Sequence, residues 1–376
     1  MKKRLAILAT HPVQYFVPVF RGLEAIPWLR CQVFVGCLHG AVEPSYDPDF
    51  GLTFAWDCDL CSGYNRTALT HWPLQALSGW RGVVAGLWAG LKLALWRPDA
   101  VLIYAYSPSF ITTASLVLAV VQIPILLRAD TSDEAYSRSA LKSWIRDQLL
   151  RIYYRSCKLI FPIGAESHRH FMRLGVPPAK LNCVPYAVDQ RVFPPLSGAC
   201  AQPNADAPLR LGFVGKFTLL KDPMLMARAL NYLSDGERTQ LRFAAAGDGP
   251  LLEKCRKAMK RLLSEVCFHG FLNQSELNHF YGQLDVLILP SVQGEVWGLV
   301  INEALSQGVR VIVSNRVSCR HDLVLSEQAG WVFPAGQARA LARALRLALM
   351  SWPWPREPQP TPVPDLLVAA VGRAML

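Results

Sequence analysis

Short apolar runs alternate with longer amphipathic stretches along most of this chain. Twelve runs have the length and apolarity of buried strands, and they form two series of six: 5–9, 32–36, 100–103, 125–127, 159–162 and 183–185, then 211–214, 242–246, 266–269, 286–289, 310–313 and 331–333. Helical patterns fill the intervals. Nearly continuous apolar strands that alternate with helices are typical of parallel sheets covered by helices on both faces.

The two series predict an α/β fold with two Rossmann-like, doubly wound parallel-sheet domains that face a cleft. We place the first domain at residues 1–193 and the second at 209–350. The Pro-, Ala- and Asn-rich stretch 194–208 lacks periodicity and is predicted to be a linker. Residues 351–376 are predicted to be a divergent Pro-rich tail, irregular over 352–364 and ending in a short helix over 366–376.

The longest apolar stretch, 110–127, is interrupted by polar residues and by Pro124. It is therefore predicted to be a buried helix followed by a strand, and not a membrane span. At the N-terminus, basic residues precede an apolar run that is too short for a signal peptide, so this run is predicted to be the first buried strand.

The net charge of +11 narrows the possible partners. The basic residues are scattered and no nucleic-acid-binding motif accompanies them, so a membrane surface or phosphorylated ligands fit better than nucleic acid.

Tryptophans at 72, 80, 88 and 96 recur every eight residues, close to two helical turns. This spacing predicts a core stripe or a membrane-facing stripe.

The chain contains ten cysteines, of which Cys58 and Cys61 form a C-x-x-C pair. No second pair and no histidine at metal-binding spacing follows. The cysteines are therefore predicted to be reduced thiols of a cytosolic protein, and not a zinc site.

Ligands of open parallel sheets bind beyond the carboxyl ends of the strands, so the residues after each strand are the candidates for a site. Gly215 and Lys216 follow the strand 211–214, and Lys221 comes five residues later. Two cations at such an edge suit a diphosphate, although lysines in a solvated turn would give the same pattern. The turn 247–250, Gly-Asp-Gly-Pro, would let a ligand approach the backbone closely, or simply connect strand to helix.

The most informative segment is 291–304. Glu295 and Glu303 are separated by seven residues, and Gly298 lies between them at the start of a helical pattern. Amides at a helix N-terminus can hold phosphate oxygens, and a carboxylate within the helix can accept hydrogen bonds from ribose hydroxyls. The alternative of two solvated glutamates is less consistent with the apolar residues around them.

Together these motifs resemble those of the retaining glycosyltransferases of family 4, which have the two-domain GT-B fold. The resemblance covers roughly residues 3–345. It is carried by the E-x7-E motif from Glu295 to Glu303, by Gly215, Lys216 and Lys221 as G-(R/K)-x4-K, by 247–250, by Gly270-Phe271, by 184–189 and by the opening segment 10–16.

The resemblance implies a role for each matching position. Lys216 and Lys221 would neutralise the leaving diphosphate, Glu303 would bind the ribose, and Glu295 would contact the donor sugar. The remaining donor-binding positions would act through backbone amides or close approach: Gly215, Gly247, Gly270, Trp297, Gly298 and Leu299. The anomeric configuration would be retained, with the leaving phosphate helping to deprotonate the acceptor, and neither a metal nor a cofactor besides the nucleoside-diphosphate sugar would be needed.

Two features depart from the family pattern. Many relatives carry a histidine near the donor sugar after the fifth strand, where this chain has Arg128 and Asp130. With His11 and Tyr15 of the opening segment, these residues are assigned to the acceptor or donor-sugar side, although Arg128 and Asp130 could equally form a surface ion pair. Relatives usually end with a helix that crosses back onto the first domain, and the Pro-rich stretch 352–364 does not resemble it, so that the tail is either divergent or damaged.

The sequence therefore predicts a glycosyltransferase that moves a sugar from a nucleotide-sugar donor to a hydroxyl of a glycan or lipid-linked glycan. A sugar-nucleotide epimerase of the same fold and an inactive nucleotide-binding homologue remain the alternatives. The expected location is the cytoplasm, with peripheral attachment to the inner face of a bacterial membrane.

Overall fold

The computed structural model of the 376-residue chain describes residues 2–42, 44–48, 50–133, 139–194, 204 and 206–376. It contains two six-stranded sheets in which every strand pair is parallel. This confirms the predicted fold class of two doubly wound α/β domains. Most of the predicted linker 194–208 lies outside the described residues.

The first sheet has the strand order β5-β2-β1-β6-β7-β8. Its strands are β1 (Lys3–Ala9), β2 (Leu29–Val35), β5 (Arg66–Ala68), β6 (Ala100–Tyr104), β7 (Ile125–Ala129) and β8 (Cys157–Pro162). Its helices are α1 (Val17–Glu24), α2 (Gly79–Trp96), α3 (Ser109–Val120), α4 (Ala140–Ser156) and α5 (Gly164–Arg173). A separate antiparallel hairpin consists of β3 (Ser45–Asp47) and β4 (Leu52–Phe54).

The second sheet repeats this topology in the order β11-β10-β9-β12-β13-β14. Its strands are β9 (Leu209–Val214), β10 (Leu241–Ala246), β11 (Val266–Phe268), β12 (Val286–Leu289), β13 (Arg310–Ser314) and β14 (Gly330–Phe333). The helices that follow along the chain are α6 (Met224–Leu230), α7 (Asp235–Thr239), α8 (Leu252–Lys260), α9 (Gln274–Gly282), α10 (Leu299–Ser306), α11 (Arg320–Leu323), α12 (Ala338–Ser351) and α13 (Asp365–Met375). In both sheets the strand order reverses beside the first strand, and such switch points are where doubly wound folds bind ligands.

Helices α2 and α3 lie against each other on one face of the first sheet. Gly82, Gly86 and Gly90 recur every four residues on the side of α2 that meets α3, and a Cβ atom at any of them would overlap with α3 or the residues before α2. Small residues at this spacing allow two helix backbones to approach closely. The outer side of α2 is thereby left to solvent.

The C-terminal tail corrects one expectation. Residues 352–364 are irregular, as predicted, and α13 forms the final helix. The tail nevertheless returns to the first domain, because α13 packs against α1 and buries Leu367, Val371 and Met375 in the core beneath it. On the way, the Arg356 guanidinium donates hydrogen bonds to three backbone carbonyls at the C-terminal end of α9, those of Tyr281, Gly282 and Leu284. The return helix described for relatives is thus present, behind an irregular segment that disguised it.

Eleven of the twelve predicted strands are confirmed. Residues 183–185 are the exception, since they are extended and Val184 N donates to Pro162 O at 3.0 Å without forming a strand. The stretch 110–127 is a helix and a strand, as predicted. Among the helices of the described chain, none is long and apolar enough to cross a membrane.

Candidate active site between the two domains

A cavity of about 160 Å³ lies between the domains at the carboxyl ends of the strands. The second domain contributes most of its wall, including Gly215, Gly247, Leu299 and Glu303. These four predicted donor-binding residues are therefore brought together. The first domain contributes Gln14, Phe50 and Trp56.

Close packing of the backbone explains why glycines line this wall. Gly247 has φ of +128°, and a Cβ atom there would overlap with the carbonyl group of Gly215. Its N–H donates to the carbonyl oxygen of Gly270 at 2.6 Å. The three glycine turns after β9, β10 and β11 are thus packed backbone to backbone, and any side chain on Gly247 would separate them.

Helix α10 begins directly at the cavity. Its N-cap, Gly298, has φ of +102°, a conformation that side chains rarely adopt, and Leu299 is the first helical residue. Glu303 follows in the second turn, where the hydroxyl of Tyr281 donates to its Oε2 at 2.7 Å. Burial raises the pKa of the Glu303 carboxyl to about 7, against a smaller opposing effect of the Tyr281 hydrogen bond.

Glu295 is only 8% exposed. Its Oε2 accepts a hydrogen bond from the Ser291 hydroxyl at 2.9 Å and forms an ion pair with Lys221 Nζ. Two predicted site residues thus form an ion pair with each other. Because burying an unpaired carboxylate is costly, this contact explains how Glu295 can be buried within the loop that precedes α10.

The side chain of Trp297 has a structural position. It is 2% exposed, and its indole N–H donates to Asn302 Oδ1 at 2.7 Å. The amide of Asn302 in turn donates to the carbonyl oxygen of Tyr186 at 3.0 Å. Through Asn302, the Trp297 side chain therefore connects the loop before α10 to the irregular segment that leads out of the first domain. Only the backbone of Trp297 is left for the predicted contact with a donor.

Lys216 forms an ion pair across the cleft. Its Nζ lies 3.0 and 3.1 Å from the two carboxylate oxygens of Asp47 and 5.0 Å from the ring centroid of Phe50. Asp47 belongs to the β3–β4 hairpin of the first domain. The Asp47 carboxylate therefore contacts the Lys216 ammonium group, to which the sequence analysis assigned the binding of a diphosphate.

The hairpin that carries Asp47 is attached to the second domain. Phe54 packs on Phe271 with ring centroids 4.3 Å apart, and Phe50 meets the same ring edge-on at 5.3 Å. Further along, the Asn273 amide donates to Ala55 O at 2.8 Å. These contacts fix one rim of the cavity.

Three of the first-domain candidates, Tyr15, Arg128 and Asp130, meet around Tyr186, and the guanidinium carbon of Arg128 lies 5.4 Å from the centroid of its ring. Its hydroxyl donates to Asp130 Oδ2 at 3.2 Å, and its ring packs edge-on against Tyr15 at 5.0 Å. Burial raises the pKa of both the Asp130 carboxyl and the Tyr15 hydroxyl.

Arg128 corrects the expectation of a surface ion pair. It is 3% exposed, and its guanidinium donates to the carbonyl oxygens of Val184 and Pro185 at 2.7 and 3.0 Å. Those carbonyls belong to the segment mistaken for a strand, and Arg128 supplies hydrogen bonds that a neighbouring strand would otherwise provide. The residue therefore stabilises the connection between the domains.

His11 stands apart from that group. Its ring packs edge-on against His39 at 5.8 Å, and its Nδ1 lies 3.0 Å from the Thr10 hydroxyl. Burial and the neighbouring imidazole lower its pKa to about 4, so His11 is neutral at physiological pH.

Sequence reasoning missed several residues of the cleft. Gln14 and Gln274 line the cavity together with a second, adjoining cavity that also shares Leu299 and Glu303. Gln14 lay within the opening motif and could have been found there. Asp47 and Phe50 carried no sequence signal, because only the fold brings their hairpin to the second domain.

Sequence comparisons agree with the character of this site. Residues 201–358 match the family model for glycosyl transferases group 1. An uncharacterized glycosyltransferase of Methanocaldococcus jannaschii is 33% identical over 125 residues, which are 32% of this chain and 31% of that protein. A putative colanic acid biosynthesis glycosyltransferase of Escherichia coli, WcaL, is 27% identical over 199 residues, 51% of this chain and 48% of that one. The matches therefore span about half the length of these relatives or less.

Solved structures share the whole fold at low identity. Sucrose-phosphate synthase from Thermosynechococcus elongatus superposes with a TM-score of 0.70 at 18% identity, over 99% of this chain and 98% of that one. The Anabaena protein HepE, solved with UDP and glucose, gives 0.61 at 15% identity over 93% and 90%. A putative UDP-N-acetylglucosamine 2-epimerase from Listeria monocytogenes gives 0.63 at 13% over 100% and 96%. Residues 201–358 are therefore similar to the glycosyl transferases group 1, within a chain that has the GT-B fold.

Proposed function

We propose that this protein transfers a sugar from a nucleoside-diphosphate sugar to a hydroxyl of a glycan or lipid-linked glycan, with retention at the anomeric carbon. The observation that carries the proposal is the convergence of Glu303, the glycine turns and the start of α10 on one interdomain cavity. The ribose would donate hydrogen bonds to Glu303, and the diphosphate would lie along the turns after β9 and β10. HepE, which shares the fold, has been solved with UDP-glucose, which supports a nucleotide-sugar donor.

The catalytic contribution that we assign to the side chains is electrostatic stabilisation of the leaving diphosphate. As the glycosidic bond breaks, negative charge grows on the bridging phosphate oxygen, and Lys216 and Lys221 would stabilise it more in the transition state than in the ground state. To do so, Lys216 must exchange Asp47 for phosphate. The leaving phosphate would then accept the proton of the acceptor hydroxyl, so the chain itself need not supply a general base.

Donor binding and chemistry can be tested separately. Thermal stability is measured against a panel of nucleoside diphosphates, where a ligand at a hundred times its Kd adds about 2.7 kcal/mol. NMR of the product then gives its anomeric configuration, and a chelator tests whether a divalent metal is needed. An inverted product, or activity abolished by the chelator and restored by manganese, contradicts the proposal.

The epimerase and the inactive homologue give different results in the same experiments. An epimerase converts the donor without an acceptor, whereas an inactive homologue binds nucleotide and never turns over. We favour transfer because the family model matches glycosyl transferases, whereas the epimerase neighbour shares only the fold. The proposal includes a cytoplasmic location with peripheral attachment to the inner face of the membrane, supported by the +11 charge.

A further inference from the structure

The first domain exposes an extensive apolar surface on one side of its sheet. Helices α2, α3 and α4 all cover the same face of the sheet, since their inner residues join one hydrophobic core. Their outer residues are large, apolar and exposed: Trp80, Val83, Val84, Leu87, Trp88, Leu91 and Leu95 on α2, Leu116 and Val120 on α3, and Leu141, Trp144, Ile145, Leu149 and Ile152 on α4. We call this set the α2–α4 face.

Several apolar side chains of the α2–α4 face are largely exposed to solvent. Trp80 is 73% exposed, and Leu95 and Val120 are each 82% exposed. Scattered apolar residues are normal on a protein surface, but contiguous apolar patches of this kind mark interaction sites. The packing of α2 explains the pattern, because its glycines and alanines satisfy the core and every larger apolar side chain on the outer side remains uncovered.

The charged residues of α2, α3 and α4 are basic with one exception. Helices α2 and α3 contain no acidic residue. The one carboxylate of α4, Asp147, is held by Arg173, whose Nη2 lies 3.1 Å from its Oδ1. The basic residues Arg81, Lys92, Lys142, Arg151 and Arg155 are distributed over α2 and α4. Two of the cations lie over tryptophan rings, Arg81 at 5.6 Å from the centroid of Trp80 and Lys92 at 5.9 Å from that of Trp88.

Apolar side chains, amphipathic tryptophans and basic residues on one helical surface are the combination that partitions into a bilayer interface. We propose that the α2–α4 face docks the protein onto an anionic lipid bilayer, with the three helices lying parallel to the membrane surface. The exposed apolar side chains enter the acyl-chain boundary, and the cations remain at the level of the anionic headgroups. This inference rests on the peripheral attachment proposed above and identifies the surface that contacts the membrane.

The position of the face suits an enzyme that works at the membrane. Helices of a doubly wound domain run antiparallel to its strands, so α2 begins at the carboxyl edge of the sheet, where the cleft opens. A cavity lined by Thr70, His71 and Trp72 lies just before α2. Docking through this face therefore holds the cleft edge of the first domain close to the bilayer.

The test is flotation of the full-length protein with vesicles, without donor or acceptor. Wild type is expected to bind vesicles of phosphatidylcholine with phosphatidylglycerol, and to bind pure phosphatidylcholine more weakly. Leu87→Glu with Leu91→Glu should weaken binding at least about tenfold, since both charges would enter the hydrocarbon boundary. The matched control is Leu347→Glu with Met350→Glu, on an exposed face of α12 in the other domain, which should bind as wild type does.

A second pair of variants isolates the charges. Arg81→Gln and Lys142→Gln should each reduce binding to anionic vesicles by about fivefold and leave binding to neutral vesicles unchanged, because one basic residue near an anionic surface contributes about 1 kcal/mol. Tryptophan fluorescence of wild type should shift to the blue on binding and be quenched by lipids brominated in their acyl chains. Melting temperatures confirm that each variant is folded.

Three outcomes overturn the proposal. In the first, wild type does not bind anionic vesicles. In the second, Leu87→Glu with Leu91→Glu floats as wild type does. In the third, wild type is a dimer in lipid-free buffer and the same double variant is a monomer, so that a second copy covers the face. None of these affects the proposed activity, because thermal shift with nucleoside diphosphates reports the donor site independently of the membrane.

Discussion

Glu303 gives the candidate site a pH dependence. Its pKa is raised to about 7 by burial, and a charged carboxylate is the stronger acceptor for ribose hydroxyls. Donor affinity is therefore expected to fall as the pH falls through about 7, by roughly tenfold between pH 8.5 and pH 5.5. Calorimetric titration with a nucleoside diphosphate over this range measures the change.

Two variants serve as controls for this pH dependence. Tyr281→Phe removes a hydrogen bond that lowers the pKa, so the midpoint should move upward, whereas Glu303→Gln should bind weakly at every pH. Because the folded-state pKa is above the unfolded value, Glu303 favours folding below about pH 4.5, and this contribution is lost as the pH rises through about 7. Glu303→Gln should therefore raise the melting temperature at pH 8. An unchanged affinity profile in wild type would count against Glu303 as the ribose ligand.

The two lysines are expected to act on turnover more than on binding. Lys216→Ala and Lys221→Ala should each lower kcat by on the order of 100-fold, because the charge that they stabilise develops in the transition state. Lys216→Arg should retain much of the activity, since the guanidinium also reaches phosphate oxygens. Steady-state kinetics with separately measured donor Kd distinguishes the two effects. Intact turnover in both alanine variants would reduce these lysines to structural ion-pair partners.

At the residue scale, the sequence predicted several residues that line the cavity but not the partners that the site residues contact. Spacing was sufficient to select Glu303 and the glycine turns, because strand ends and helix starts can be read from local patterns. It could not show that Lys221 pairs with Glu295, or that Arg128 is buried under the connection between the domains. Such partners are decided by the packing of segments that are distant in sequence.

At the scale of elements, apolar runs predicted eleven of the twelve strands in the two sheets and missed β5 and the β3–β4 hairpin. Strand β5, which contains Arg66, and the hairpin β3–β4 are short and only partly buried, so their sequences lack the continuous apolar pattern of the sheet centre. Residues 183–185 have the apolar pattern without the pairing. A parallel strand at an edge needs a neighbour, and periodicity alone does not reveal one.

The final helix offers a test of the tail. Val371 is fully buried between α13 and the first domain, whereas Leu366 on the same helix is 49% exposed. Val371→Asp should destabilise the first domain by about 3 kcal/mol, since it buries an unpaired carboxylate in an apolar core, and Leu366→Asp should cost less than about 0.5 kcal/mol. Urea unfolding followed by circular dichroism compares them. Equal midpoints for the two variants would mean that α13 does not pack on the first domain in solution.

At the scale of the whole molecule, contacts on several elements hold the domains together. Asp322 of the second domain accepts hydrogen bonds from the amide of Ala165 at the start of α5, at 3.1 Å. Beside it, Glu166 lies 3.4 Å from Arg320. Each of these contacts joins residues more than 150 positions apart, which is why the sequence predicted a cleft and not its closed geometry.

The ion pair between Asp47 and Lys216 would compete with the binding of a diphosphate, because the carboxylate and the phosphate would contact the same ammonium group. An incoming diphosphate must displace the carboxylate, so Asp47→Asn should tighten the binding of nucleoside diphosphates by up to about fivefold, the range expected for a partly exposed ion pair. Asp99→Asn, which removes the same charge from another part of the first domain, should have no effect. Affinity that is unchanged or weaker in Asp47→Asn would contradict this.

The same pair bears on the end of the catalytic cycle. Once the sugar has been transferred, the nucleoside diphosphate would still be held by the two lysines proposed to stabilise the transition state, and tightly bound products leave slowly. A carboxylate on a hairpin that already contacts the second domain can retake Lys216 as the phosphate loosens. The hairpin would then promote release of the nucleoside diphosphate. Faster release of this product would come with a lower affinity for the donor.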